Sequence, residues 1–200
     1  MQMSKSLKTK QFILETVAPL FNKNGYHGTS LSTITEATGL TKGALYGNFE
    51  NKEELALYAF EYSKNILLKH IITALQEGES AMSKLFSLIN FYKSYDLIIE
   101  ELGGCPIVSA GVDAQHNNFT LSQAIKEVHH SIEGHIAHVI EQGQIKGEFK
   151  LKLPAMQYAK QFYTILNGGV VSSLITSDAK YFKNSAQYLE YLIQIEFAKK

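Results

Sequence analysis

Arginine is missing from this chain of 200 residues, so all 19 basic side chains are lysine. No guanidinium fork is available for bidentate hydrogen bonding. Cysteine occurs once, at Cys105, which excludes an intramolecular disulfide. No apolar run approaches the ~20 residues that span a bilayer. The polar opening MQMSKSLKTK has no apolar segment behind it, so it does not read as a secretory leader. A surplus of either charge is also lacking, since the formal net charge is zero. That removes the generic polycation from consideration. The expectation is a soluble cytoplasmic protein with no membrane contact.

The charge that is present is unevenly spread. Residues 1–52 carry Lys5, Lys8, Lys10, Lys23, Lys42 and Lys52 against Glu15, Glu36 and Glu50, and the remainder is correspondingly acidic. A basic end on an acidic body suits a protein that meets phosphates at one end only. Hydrophobic residues make up 45% of the chain, enough to bury a core.

Helical periodicity dominates, without sustained alternation or internal repeats. Ile13, Val17, Leu20 and Phe21 form one apolar stripe on a helix from about Leu7 to Asn24. Pro19 lies inside it and predicts a kink, and Gly25 ends it. A fourth helix starts at NKEEL, where Asn51 and Glu54 have capping-box spacing, and runs to about Gln76. Further helices are expected over 81–101, over 121–143, from Pro154 to Ser177 and from Tyr181 to Ala198, with GGCP (residues 103–106) breaking the chain before a shorter segment to about Ala114. The fold class is all-α with about nine helices. Residues 1–53 form an N-terminal domain, the fourth helix links onward to 76, and 54–200 form a helical body. A shared helix in place of a flexible linker can transmit motion between them.

Residues 30–49, SLSTITEATGLTKGALYGNF, read as a short helix, a glycine turn and a second short helix. Ser30 and Thr41 are the caps, Gly39 makes the turn, and Leu31, Ile34 and Ala37 face inward on the first of these helices. Leu40, Leu45 and Phe49 are buried by the second. This is how a chain sets a helix into the major groove of DNA. Gly43 and Ala44 are small enough for close backbone approach, and the Ala44 methyl suits a thymine methyl. Lys42 is the one long donor, able to reach guanine O6 or N7. Thr29 or Ser30 stands where a hydroxyl and a helix N-terminus can hold a phosphate. Lys5, Lys8 and Lys10 read either as a minor-groove arm or as a solvated tail.

These residues, together with FNKNGYHGTS before them and NKEEL after, resemble the TetR family of transcriptional regulators. GGCPI and GQIKGEF resemble a subgroup that represses efflux or detoxification genes. The resemblance implies a homodimer bound to a double-stranded DNA operator and released by a small-molecule effector. It assigns phosphate contacts to Tyr46, Asn48 and Lys52, and Thr41, a cap in any case, is grouped with them as a DNA-binding residue. Many members carry a bulky residue or histidine where this chain has Gly47 and Asn48. It makes the last two helices the dimer elements, through Phe162, Ile165, Leu166, Val170, Leu174, Tyr188, Leu192 and Ile195. It places an effector pocket within 81–176, for which Phe86, Phe91, Tyr95, Cys105, Phe119, His129, Phe162 and Tyr163 are the candidates. An apolar or aromatic ligand follows from that content.

Cys105 has two readings, a thiolate sensor of electrophiles or oxidants and a buried packing residue. His129, His130, His135 and His138 crowd one helix, but only His135 and His138 have ligand-like spacing, so no metal and no cofactor are expected. No nucleophile motif, phosphate loop or paired acid and base is present, so no catalytic residue is assigned and the chain is not read as an enzyme. The alternatives to a ligand-released repressor are a redox-sensing repressor acting through Cys105 and a helical binding module without DNA binding.

Overall fold

The computed structural model describes residues 5–115 and 118–197, with all of their side chains except those of Lys5 and Val112. The described residues form ten helices and no strand, the all-α class that the periodicity predicts. They are α1 (Lys5–Gly28), α2 (Leu31–Thr38), α3 (Lys42–Tyr46), α4 (Lys52–Gln76), α5 (Ala81–Lys93), α6 (Tyr95–Leu102), α7 (Pro106–Ala114), α8 (Phe119–Ile145), α9 (Ala155–Thr176) and α10 (Lys180–Glu196). The tenth helix arises where one was expected over 81–101. The helix stops at Ser94, whose φ of −111° and ψ of 25° leave the α region. The run YKSYD has no glycine or proline to announce that break. Asp96 in the first turn of α6 restarts the helix with a favourable charge at its N-terminus.

Contacts divide the chain into two compact units, 1–66 with 98–127, and 67–97 with 128–200. In the first, α1 packs against both α2 and α7. Ile13, Leu14, Val17, Ala18 and Phe21 form the buried face of α1, while Leu20 is only half-buried. Backbone angles within α1 turn non-helical at Gly25, with φ 74° and ψ 178°, and not at Pro19. A left-handed φ is open to glycine at little cost, so the break falls there. Residues 6–10 are helical, so Lys8 and Lys10 are neither arm nor tail; the side chain of Lys5 lies outside the described residues. The Lys10 ammonium stands 3.7 Å from the Tyr58 ring centroid and 5.0 Å from that of Phe49, a cation–π setting.

In the second unit α9 packs along α10, and α10 along α5. α9 follows Pro154 and ends at Ser177, whose φ of 53° is the only positive value among the described non-glycine residues. The expected end of the last helix at Ala198 lies outside the described residues. The core here is aromatic. Tyr92 and Tyr95 stack with centroids 5.1 Å apart, and Phe182 meets Tyr95 edge-on at 5.9 Å. Lys93 and Glu190 pair at 2.6 Å between α5 and α10.

Candidate nucleic-acid interface

Local hydrogen bonds build the α2–α3 pair. The Ser30 Oγ accepts from the Thr33 N–H at 3.1 Å, and the Thr41 Oγ1 from the Ala44 N–H at 3.2 Å. Each cap satisfies a donor that a helix start leaves unpaired. Gly39 turns the chain with φ 66° and ψ 12°. Thr38 is buried and donates to the Ile34 carbonyl at 2.7 Å. The inner face of α2 is therefore Ile34 and Thr38, with Leu31 half-buried, and Ala37 is exposed. Threonine replaces alanine inside because its hydroxyl returns to the backbone of its own helix. Leu45 and Phe49 are 1% and 2% exposed and anchor α3, while Leu40 is half-buried.

α4 starts on a shifted version of the expected capping box. The Glu54 N–H donates to Asn51 Oδ1 at 2.8 Å, but the Glu54 carboxylate accepts from the Glu50 N–H at 2.5 Å, one residue before the cap.

The candidate contact residues separate clearly. Ser30, Thr41, Lys42, Gly43, Ala44 and Tyr46 are exposed, and Asn48 is half-buried. Thr29 is fully buried and its hydroxyl donates inward to the Gly25 carbonyl at 2.8 Å. Of the two hydroxyls considered at this helix start, Ser30 is the accessible one. It belongs to a small cluster, with Ser32 Oγ at 2.7 Å and Thr33 Oγ1 at 2.8 Å. The hydroxyl-rich run TSLSTIT is the signal for that cluster, in which Ser32 and Thr33 join the cap. The Asn48 amide donates to the Ala44 carbonyl at 2.9 Å. Lys52 donates to the Tyr26 carbonyl at 2.7 Å, with its ammonium 4.4 Å from the Tyr26 ring centroid. Burial lowers the Lys52 pKa, and Asp113 opposes that shift. Burial, with Glu53 and Asp113, raises that of Tyr26.

The turn that carries this surface is held from behind. Asp113 on α7 accepts from the His27 backbone N–H at 2.8 Å and faces His27 Nδ1 at 3.3 Å. The buried Asn22 amide donates to Ser63 Oγ and to the Leu102 carbonyl, both at 2.8 Å. The GGCP turn lies directly on α1. A Cβ on Gly103 would stand 2.7 Å from Pro19 Cβ, and one on Gly104 would stand 2.2 Å from the Asn22 carbonyl oxygen. Cys105 follows, 1% exposed, as the residue before α7. That is the setting of a packing cysteine more than of an accessible thiolate.

The effector candidates do not form one group. Phe91 and Tyr95 belong to the aromatic core of the second unit, with centroids 5.7 Å apart. His129 meets Tyr163 at 4.7 Å, and Phe162 stacks near Phe197 at 6.3 Å. Phe86 is half-buried. Phe119 is 85% exposed, so it lines no cavity of the described chain. Burial lowers the His129 pKa, partly offset by Glu133. A groove of about 810 Å³ runs along α9 and α10, lined by Leu153, Tyr158, Phe162, Ile165, Tyr188 and Leu192 among others. Phe162 is its only member from the effector candidates.

Comparison with known proteins covers both parts of the chain. Residues 13–59 match the family model of bacterial regulatory proteins of the tetR family, and residues 81–189 match that of the tetracyclin repressor-like C-terminal domain. The HTH-type transcriptional regulator YxaF of Bacillus subtilis (strain 168) is 28% identical over 172 residues, covering 85% of this chain and 87% of its own. A TetR-family regulator from Cytophaga hutchinsonii superposes with a TM-score of 0.89 at 31% identity over 100% of both chains. One from Chloroflexus aurantiacus J-10-FL does so with 0.91 at 27% identity over 98% of both. These relatives are regulators, not enzymes.

Proposed function

This chain belongs to the TetR family of transcriptional regulators, and on that premise we propose that it is a homodimeric repressor released from a palindromic operator by a small apolar or aromatic effector. The observation that carries the reading is the outward face of α3. Lys42, Gly43 and Ala44 are all exposed while Leu45 and Phe49 are locked beneath them. A five-residue helix does not hold its place alone. Here the buried pair fixes its position and leaves a small, non-acidic surface for base edges.

Ser30, Thr41, Tyr46 and Asn48 frame that surface and take the phosphate contacts. Lys52 takes part through its charge at the start of α4, held on Tyr26. Thr29 acts by supporting the turn from inside. The DNA-binding domain is residues 1–53, and 54–200 carry effector and dimer contacts in the cytoplasm. For the dimer, α9 and α10 supply exposed Ile175, Tyr188, Tyr191 and Ile195, of which Tyr188 lines the groove. Phe162, Leu166 and Val170, from the expected dimer face, are instead buried within the chain, where they support the helices.

Binding-site selection followed by titration at several salt concentrations tests this reading. The selected sequences are expected to be pseudo-palindromes, and affinity to fall steeply with salt. Lys42→Ala is expected to cost about 1–3 kcal/mol and to relax selectivity at one base position. Unselective or salt-independent binding by the unaltered chain would overturn the proposal. No observation favours a Cys105 sensor, since its side chain is out of solvent.

A further inference from the structure

His129, His130 and Glu133 on α8 each offer a ligand atom, and these atoms lie within 4.8 Å of one another. Among the described residues no other group of three such side chains does so. The helix brings them together. Glu133 is four residues beyond His129 and three beyond His130, and a helical side chain leans back over the preceding turn. The carboxylate therefore lies against both imidazoles. Oε1 is 3.5 Å from His129 Nδ1, and Oε2 is 3.2 Å from His130 Nδ1.

The environment of Glu133 gives this arrangement its meaning. Its side chain is 8% exposed, beside 37% for His129 and 71% for His130. A buried carboxylate requires donors or a positive charge. The polar contacts described for Glu133 are these two imidazoles. His129 also meets the Tyr163 ring edge-on at 4.7 Å. The spacing suits a metal ion. Two ligand atoms bound at about 2.0–2.1 Å to a tetrahedral ion stand roughly 3.3 Å apart. His130 is exposed, so its ring has room to adjust to an ion.

We infer that His129, His130 and Glu133 bind a divalent first-row transition-metal ion of the zinc type, with an open coordination position on the His130 side. Two imidazoles and one carboxylate select such an ion over calcium or magnesium, which take sets of oxygen ligands. The His135 and His138 spacing is not needed. The site stands independently of the DNA-binding reading, because none of its atoms belongs to residues 1–53.

The test is calorimetric titration of the untagged full chain with zinc, cobalt and magnesium chlorides. Zinc is expected to bind in a ratio of about one per chain with micromolar or better affinity. Cobalt is expected to show the visible absorption of low coordination number, and magnesium no binding. His130→Ala is expected to lower zinc affinity by at least about 100-fold, beyond the 10–100-fold that loss of an outer partner costs. Glu133→Gln should do the same at nearly unchanged volume. The double variant His135→Ala, His138→Ala should bind as the unaltered chain does. Thermal melting of each metal-free variant checks folding. If Glu133→Gln fails to fold, exposed His130 carries the test. Unchanged affinity in His130→Ala, loss in the His135/His138 variant, or no zinc binding at all would overturn the inference and leave an ordinary helical ion pair.

Discussion

The α1–α3 region and the α5–α9–α10 core are both helical, but they are specified by different kinds of interaction. Around α2 and α3, short-range bonds do the fixing. Ser30 and Thr41 cap their own helices, Thr38 bonds within its helix, and Gly39 turns left-handed. In the second core, contacts join residues far apart in sequence. Tyr95 meets Phe182, Lys93 meets Glu190, and the Met82 N–H meets the Glu148 carboxylate at 3.2 Å. A region built from short-range bonds leaves one face free to read a partner. A region built from side-chain volume has its shape set by all its members together.

The largest effect that sharpens this contrast is expected in the second core. Phe182 is 4% exposed and packs edge-on against Tyr95. Phe182→Ala removes that ring from a cluster packed by aromatic volume. A loss of about 3–5 kcal/mol is expected, read as a lower urea midpoint with an unchanged slope. A loss below about 1 kcal/mol would mean that volume does not govern this core, and the contrast would break.

Next in size is the turn that docks on α1. Gly104 has φ +154°, and a Cβ there would stand 2.2 Å from a backbone oxygen that no rotamer change can move. Gly104→Ala is expected to cost about 3 kcal/mol, from overpacking and backbone strain together. The expected sign of failure is also informative. If the variant is as stable as the unaltered chain, the turn is not pressed against α1, and the α1–α7 coupling loses its backbone part. Gly143, whose added Cβ would meet the Phe149 ring at 2.2 Å, is the counterpart in the second unit, where the obstacle is a side chain.

The same contrast explains what could be read in the sequence. Helix starts at Leu31, Lys52 and Ala155 follow Ser30, Asn51 and Pro154, because a cap or a proline acts on its immediate neighbours. The surface of α3 was legible for the same reason, down to Lys42 and Ala44. Ala37 and Thr38 exchanged roles because a hydroxyl bonded within its helix is tolerated inside. Thr29 and Lys52 were harder, since Gly25 and Tyr26, which occupy their polar atoms, come close only when the turn folds. The break at Ser94 carries no glycine or proline. Aromatic character and a central position do not tell ligand contact from packing among the effector candidates, and Phe119 is exposed. Spacing alone does not pick out Glu133 beside His129 and His130, because its burial depends on the packing of α8.

Gly43 gives the smallest effect and the one with two opposite signs. It lies in the first turn of α3, outside the left-handed region, and an added Cβ would meet nothing nearer than Thr41 Oγ1 at 3.9 Å. Nothing in the free chain therefore requires glycine there. Alanine restricts the unfolded chain and favours helix, so Gly43→Ala is expected to stabilise the free protein by about 0.5 kcal/mol. If the backbone of α3 approaches base edges closely, the same methyl group stands between protein and DNA. Operator affinity is then expected to fall by about tenfold, or ~1.4 kcal/mol. Urea unfolding and fluorescence anisotropy on one preparation measure both quantities. Stability and affinity rising together would show that this glycine serves neither role, and Lys42 and Ala44 would carry base reading. A gain in stability with a loss in affinity would locate the need for glycine in the bound state, where a chain without arginine has the fewest other ways to read sequence.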